Sequence, residues 1–141
     1  MDKVKLAIVG CGAISNLNVP GYLEHSKCEI VALCDPVPER ATSKAKEWGI
    51  NPDIFTEYGD ILSNKNIDAI ELLTPTYLHA EQIISGLEAG KHISCQKPLA
   101  TSMKEAAEIR GIVQKSNHIF RVTENLDRKS TRLNSSHSEI S

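Results

Sequence analysis

No uninterrupted apolar run in this chain of 141 residues approaches the roughly 20 residues that a membrane helix requires. The N-terminus carries no cleavable hydrophobic leader, so the expected location is cytoplasmic. A basic excess is also missing. Sixteen Lys and Arg stand against 18 Asp and Glu, a formal net charge of -2, which leaves no electrostatic case for nucleic acid or an anionic membrane as partner. Cysteine is sparse, and the separations of Cys11, Cys28, Cys34 and Cys95 fit neither a zinc pattern nor a dense disulfide framework. Reduced core thiols and no metal site are expected. A small-molecule partner is what these exclusions leave, and 40% hydrophobic residues are enough to bury the core of one domain.

Short strand-like runs alternate with helix-like segments, the signature of a parallel sheet covered on both faces by helices. Val4 to Val9 is the first strand. Ala13 to His25 reads as helical, ended or kinked at Pro20, which has no N–H to give. "EIVALCD" is the second strand. Pro38 then opens a helix whose inward face is Ala41, Ala45 and Trp48 and which stops at Gly49. "DIFTEY" and "IDAIELL" are strands three and four, the latter nearly continuous in apolar residues, as a central parallel strand should be. The next helix carries Ile83, Ile84 and Leu87 and ends at Gly90, suited to a left-handed terminus. "HISC" is the fifth strand. Ser102 and Glu105 have capping-box spacing, with Met103, Ala106, Ile109 and Val113 as the inward face of the helix they start. "HIFRVT" completes six strands and about five helices, the count of a dinucleotide-binding fold. The expected class is α/β, a doubly wound parallel sheet of the Rossmann NAD(P)-binding type.

Chemistry enters with Gly10-Cys11-Gly12-Ala13-Ile14-Ser15, a G-x-G-x-x-small turn between a strand and a helix. Gly10 permits the tight turn, Gly12 lets a pyrophosphate approach the backbone, and Ala13 and Ile14 continue into a helix N-terminus that offers N–H groups and a positive dipole end. A glycine turn without a ligand is the plain alternative. Asp35, some 20 residues further on at the end of strand two, supplies a second feature, because a carboxylate there accepts the hydroxyls of an adenine ribose. It also repels a 2'-phosphate, and Pro36 stands where a basic residue would favour NADP. NAD is therefore expected over NADP, with Arg40 the one nearby residue able to reverse the preference. The competing role for Asp35 is to cap the helix beyond Pro36.

The order of the glycine turn, "VALCDP", "TPTYLH", "EAGKHI" and "QKPLA" resembles the Gfo/Idh/MocA oxidoreductases over about residues 3 to 125. The resemblance implies that Thr74, Pro75 and His79 line the nicotinamide end of the cofactor. Residues following the C-terminal end of a central strand are well placed for that task, and the dipole of the following helix disfavours an imidazolium at His79. The resemblance further implies that Gln96-Lys97-Pro98 stands for the family's glutamate-lysine-proline element. Lys97 is then the catalytic cation between nicotinamide and substrate, binding the reacting hydroxyl and stabilising developing alkoxide charge. Gln96 departs from the usual glutamate, keeping its shape and losing its charge. Taken alone, Lys97 reads as a solvated lysine, and a plain surface histidine is the competing reading of His79.

Residues 1–125 are thus expected to be the dinucleotide-binding domain. The serine-rich stretch after them, 126–141, lacks periodicity and is similar to a translated vector read-through, so it is expected to be a disordered foreign tail. The resemblance implies a longer natural protein in which a second α/β domain forms the substrate site and supports homo-oligomerisation. Its implied reaction is hydride transfer from a sugar or cyclitol hydroxyl. Two other classes fit part of the pattern: an NAD(H)-binding regulatory module without catalysis, and an S-adenosylmethionine-dependent methyltransferase, which also pairs a glycine-rich turn with an acid after strand two.

Overall fold

The computed structural model describes residues 3–12, 27–96 and 100–123. Its elements run in the order β1 (Val4–Val9), β2 (Cys28–Cys34), α1 (Pro38–Trp48), β3 (Asp53–Phe55), α2 (Tyr58–Leu62), β4 (Ala69–Leu72), a 3-10 turn (Thr76–Leu78), α3 (His79–Glu88), β5 (His92–Gln96), α4 (Met103–Lys115) and β6 (Phe120–Thr123). The helix expected over Ala13 to His25 and the tail expected over 126–141 lie outside the described residues.

All six strands join one sheet in the order β3-β2-β1-β4-β5-β6, and every pairing is parallel. This is the doubly wound Rossmann order, with the sequence of strands reversing between β1 and β4. β1 is buried on both faces, Leu6 and Ile8 facing one apolar cluster and Ala7 and Val9 the other. That double burial is why its run is apolar without alternation. Leu6, Ile8 and Leu33 pack with Ala41, Ala45 and Trp48 of α1. On the opposite face Ile70, Leu72 and Ile93 pack with Ile61, Ile83 and Ile109 from α2, α3 and α4.

Local signals set the element ends. Pro38 occupies the first turn of α1, and Gly49 closes that helix at φ 68°; Gly90, at φ 86°, follows α3. Ser102 Oγ accepts the Glu105 N–H at 3.1 Å, while Glu105 Oε1 accepts the N–H of Thr101 at 2.9 Å. The capping box is therefore present, with its return bond reaching one residue earlier than the pattern expects. Two expectations are corrected. β3 ends at Phe55 and Tyr58 starts a helix, because β3 is an edge strand whose one partner, β2, ends at Cys34 opposite Phe55. Met103 is 89% exposed. At about 100° per residue it stands roughly 120° around α4 from Ile109, off the inward stripe.

The pairing register levels the strand ends that matter. One extra residue on β2 is absorbed between Leu6 and Ala7, after which Val9 pairs with Cys34 on one side and with Leu72 on the other. Gly10, Asp35 and Leu73 consequently leave the sheet together at its C-terminal edge, tied by Gly10 N–H to Cys34 O and Leu73 N–H to Val9 O, both at 2.8 Å.

Candidate dinucleotide-binding site

Gly10 has φ +101°, a conformation that L side chains rarely adopt, and a Cβ placed there would lie 2.7 Å from the Leu73 carbonyl oxygen. Both the backbone and the adjoining strand end thus require glycine at this position. At Gly12 a Cβ would meet nothing within 4 Å. Among the described residues nothing occupies that space, and backbone without a side chain at the strand-order reversal is what a pyrophosphate needs for close approach. The described part of the turn therefore suits the diphosphate of a dinucleotide. Ala13 and Ile14 lie outside the described residues.

Cys11, between the glycines, is buried, and its Sγ sits 3.7 Å from Cys34 O. Burial, followed by the charge of Asp35, pushes its thiol up to about 12; burial and the same carboxylate push Cys34 up to about 11. Neither group is a nucleophile at neutral pH. Cys28 is shifted upward by burial as well, and none of the four cysteines forms a disulfide.

Asp35 is 3% exposed. Its Oδ2 accepts the Cys11 N–H at 2.9 Å and its Oδ1 accepts the Val37 N–H at 2.8 Å. The second bond is an Asx turn ahead of α1, whose N-cap is Val37 with no side-chain capping bond, so Asp35 shapes the approach to the helix without capping it. Arg40 Nη1 lies 3.9 Å from the same Oδ1, with its side chain 61% exposed.

The threonine-proline turn forms the facing wall. Thr74 follows β4 by two residues, and its hydroxyl donates to Gln82 Oε1 of α3 at 2.5 Å. Pro75 is extended at φ -61°, ψ 151° and leads into the 3-10 turn. His79 is the first residue of α3, 2% exposed, and its Nε2 lies 2.8 Å from Thr74 O. A carbonyl only accepts, so that nitrogen carries the hydrogen. His79 braces the turn from within.

Sequence reasoning missed the supports of this wall. Tyr58 Oη donates to Gln82 O at 2.7 Å, and burial shifts its hydroxyl upward. Gly86 admits this arrangement, since a Cβ there would reach within 2.9 Å of Tyr58 Oη and would strike Ile93. Nothing in the spacing of Tyr58, Gln82 and Gly86 marks them, because they meet only when α2 and α3 dock on one face. β5 runs to the same edge, with Cys95 opposite Leu72 and Gln96 as its last residue. Lys97 lies outside the described residues. Among the described residues no group of three or more His, Cys, Asp or Glu is placed to hold a metal ion.

The sequence profile of the GFO_IDH_MocA oxidoreductase family, NAD-binding Rossmann fold, matches residues 4–124. The chain belongs to this Gfo/Idh/MocA family. A 1,5-anhydro-D-fructose reductase from Ensifer adhaerens is 30% identical over 120 residues, covering 81% of this chain and 36% of that protein. Among solved structures, scyllo-inositol dehydrogenase from Lactobacillus casei with bound NAD(H) and scyllo-inositol superposes with a TM-score of 0.79 at 24% identity, over 86% of this chain and 36% of its own. A 3-ketoreductase from Actinomadura kijaniata in complex with TDP-benzene and NADP gives 0.78 at 24%, over 86% and 38%. These structures share the fold of the Gfo/Idh/MocA member described above. The chain spans about a third of the length of the curated relatives it matches.

The expected preference for NAD over NADP is corrected by this pair, one of which holds NAD(H) and the other NADP. The physical reason lies at the end of β2. The Asp35 carboxylate is engaged by two backbone N–H groups and stands beside the exposed Arg40 cation, so its charge does not decide the matter alone.

Proposed function

We propose that this chain is the nucleotide-binding part of a nicotinamide-dinucleotide-dependent oxidoreductase that acts on a sugar or cyclitol hydroxyl. The observation that carries the reading is the lip formed where β1 and β4 end level. There Gly10 is wedged against Leu73, and no described residue would meet a Cβ at Gly12 within 4 Å. A bound nicotinamide dinucleotide supplies the hydride acceptor. The glycine turn receives the diphosphate through Gly10, Gly12, Ala13 and Ile14, and Asp35 stands at the adenine ribose. Thr74, Pro75 and His79 shape the nicotinamide end, His79 by holding the Thr74 carbonyl. Gln96 and Lys97 follow from β5, with the Lys97 ammonium binding the reacting hydroxyl and offsetting negative charge as its proton leaves.

The inositol and anhydrofructose chemistry named for the relatives supports a polyhydroxylated substrate class. Residues 1–125 then form the nucleotide unit, and the remaining length of the natural protein supplies the substrate site and the homo-oligomer contacts. A cytoplasmic protein belongs to the same reading. Among the described residues no helix is long and apolar enough to cross a membrane. Family membership favours this reading over methyl transfer.

Calorimetric titration with NADH, NADPH and S-adenosylmethionine tests it. Heat with at least one nicotinamide dinucleotide, lost in Gly12→Val, is expected; heat with S-adenosylmethionine alone, or with none of the three on folded protein, overturns it.

A further inference from the structure

Where β6 begins, a side chain stands in for a strand. Ile119, the residue before β6, offers its carbonyl to the Ile93 N–H at 2.9 Å, an ordinary rung between β5 and β6. Its own N–H goes to His92 Nδ1, also at 2.9 Å. Both polar groups of Ile119 are thus fastened to the first two residues of β5, and one of the two contacts is an imidazole. A ring nitrogen that accepts carries no hydrogen, so His92 is neutral there with its hydrogen on Nε2. The His118 N–H closes on Ser116 Oγ within the turn at 2.9 Å and does nothing to seat that turn on β5.

Protonation would place a hydrogen on Nδ1 directly against the Ile119 N–H, and two donors cannot share one bond. The surroundings add to that conflict. Burial and then His118, whose ring centroid lies 5.2 Å from that of His92, shift His92 downward from 6.5, while Asp68 opposes them. Asp68 is committed elsewhere, its Oδ2 to the Lys5 N–H at 2.9 Å and its carbonyl to the His92 N–H at 3.0 Å. Lys27 adds a positive charge on the cavity side, where it lines with His92, Ile119, Val4, Leu6 and Ala69 a hollow of about 330 Å³. Ile119 and Val4 are both exposed at its rim.

We propose that His92 is an acid-operated latch on the start of β6. Neutral, it seats the turn 116–119 on β5; protonated, it lets that turn swing out, and the apolar hollow beside Ile119 opens to solvent. The sign follows from the direction of the shift: the open turn binds a proton before the closed one does, so the latch holds at neutral pH and yields as pH falls below 6.5. The device lies at the edge of the sheet opposite the glycine turn and does not depend on the dinucleotide reading.

Nitrogen NMR of the His92 ring in the unaltered chain, followed from about pH 8 to about pH 5, is paired with hydrogen exchange at the Ile119 and Ile70 amides, each expressed as protection relative to unstructured chain at the same pH. The ring is expected to hold its hydrogen on Nε2 at neutral pH and to titrate below 6.5. Protection at Ile119 should fall about tenfold for each pH unit between 6.5 and that midpoint, and should stay below that of Ile70, in the central strand β4, throughout. Fluorescence of added 8-anilino-1-naphthalenesulfonate should rise with the same midpoint as the hollow opens. His92→Asn supplies an acceptor that does not titrate, so in it Ile119 protection is expected to hold within about twofold over the same range and the fluorescence rise to vanish. His118→Asn should keep the response and move it to higher pH. A hydrogen on Nδ1 at neutral pH, a His92 midpoint at or above 6.5, equal protection at Ile119 and Ile70, or an acid response that survives in His92→Asn overturns the latch. Should His92→Asn fail to fold, the tautomer, the midpoint and the two amides of the unaltered chain decide the matter without it.

Discussion

At the N-terminal edge of the sheet, Lys91 Nζ donates to Asn64 O at 2.6 Å and Ile67 O at 2.7 Å. Asp68 Oδ2 accepts the Lys5 N–H at 2.9 Å, and His92 Nδ1 accepts the Ile119 N–H at 2.9 Å. At the C-terminal edge, Asp35, Thr74 and His79 make bonds of the same kind and length. The difference is what the braced loops enclose. Bonds at the first edge seat each strand start against its neighbour, whereas those at the second fix the loops beside Gly12, where no described residue would meet a Cβ within 4 Å. On the proposed function, equivalent hydrogen bonds then have unequal consequences: at one edge their loss is a loss of stability, and at the other a loss of stability and of ligand geometry together.

The comparison is tested most severely at Gly10. Replacing it with Ala adds a left-handed backbone penalty to a Cβ 2.7 Å from Leu73 O, and about 4 kcal/mol of destabilisation is expected in urea unfolding, with dinucleotide binding abolished. A milder perturbation of the same edge is alkaline pH. Cys11 and Cys34 are pushed up to about 12 and about 11 from an ordinary 9.0, so above pH 9 the unfolded chain loses thiol protons that the fold retains. Stability falls as pH rises through this window, by up to about 1.4 kcal/mol per pH unit for each thiol. Replacing both cysteines with Ala should reduce that slope, with Cys28 and Tyr58, which burial also shifts upward, keeping the remainder. Lys91, which burial shifts downward, works in the opposite sense and remains in the variant.

At the other edge, Lys91→Met takes the ammonium donor from the Asn64 and Ile67 carbonyls, of which Asn64 O still accepts the Ile67 N–H. About 2 kcal/mol is the expected loss, with dinucleotide affinity unchanged in titrations on folded protein; a parallel loss of affinity would erase the distinction between the edges. Ser102→Ala removes the acceptor for the Glu105 N–H and should lower the unfolding free energy by about 1 kcal/mol. The smallest effect is expected on the acid side. Burial and the neighbouring His118 shift His92 downward from 6.5, so the unfolded chain binds a proton first and stability declines as pH falls below 6.5. His92→Asn, which retains an acceptor for Ile119 N–H, should remove this acid dependence in pH-resolved melting.

Particular residues mark how far the chain could be read in advance. The strands were legible because central parallel strands are buried on both sides, which forces runs such as "KLAIV" and "IVALC". Gly49 and Gly90 were legible because both end helices with positive φ. Glu71 was not flagged: inside an apolar string it is nonetheless 1% exposed, and alternation alone cannot tell which face of β4 it meets. Lys91 was passed over for a similar reason, since a lysine after a helix reads as solvated until two carbonyls from a distant loop close over it. At the site, Gly10 and Asp35 stood out by position relative to strand ends and Thr74 through the family resemblance, whereas Gln82, Tyr58 and Gly86 acquired roles only through the docking of α2 and α3.

By itself the sequence determined the alternation of strands and helices, the glycine turn after β1 and the acid after β2, because each follows from side-chain pattern and backbone freedom within a few residues. Only the tertiary structure decided what that acid touches. Strands distant in sequence had to be set level before Asp35 could reach Cys11 and Val37, and a carboxylate's role depends on which donors the fold brings to it.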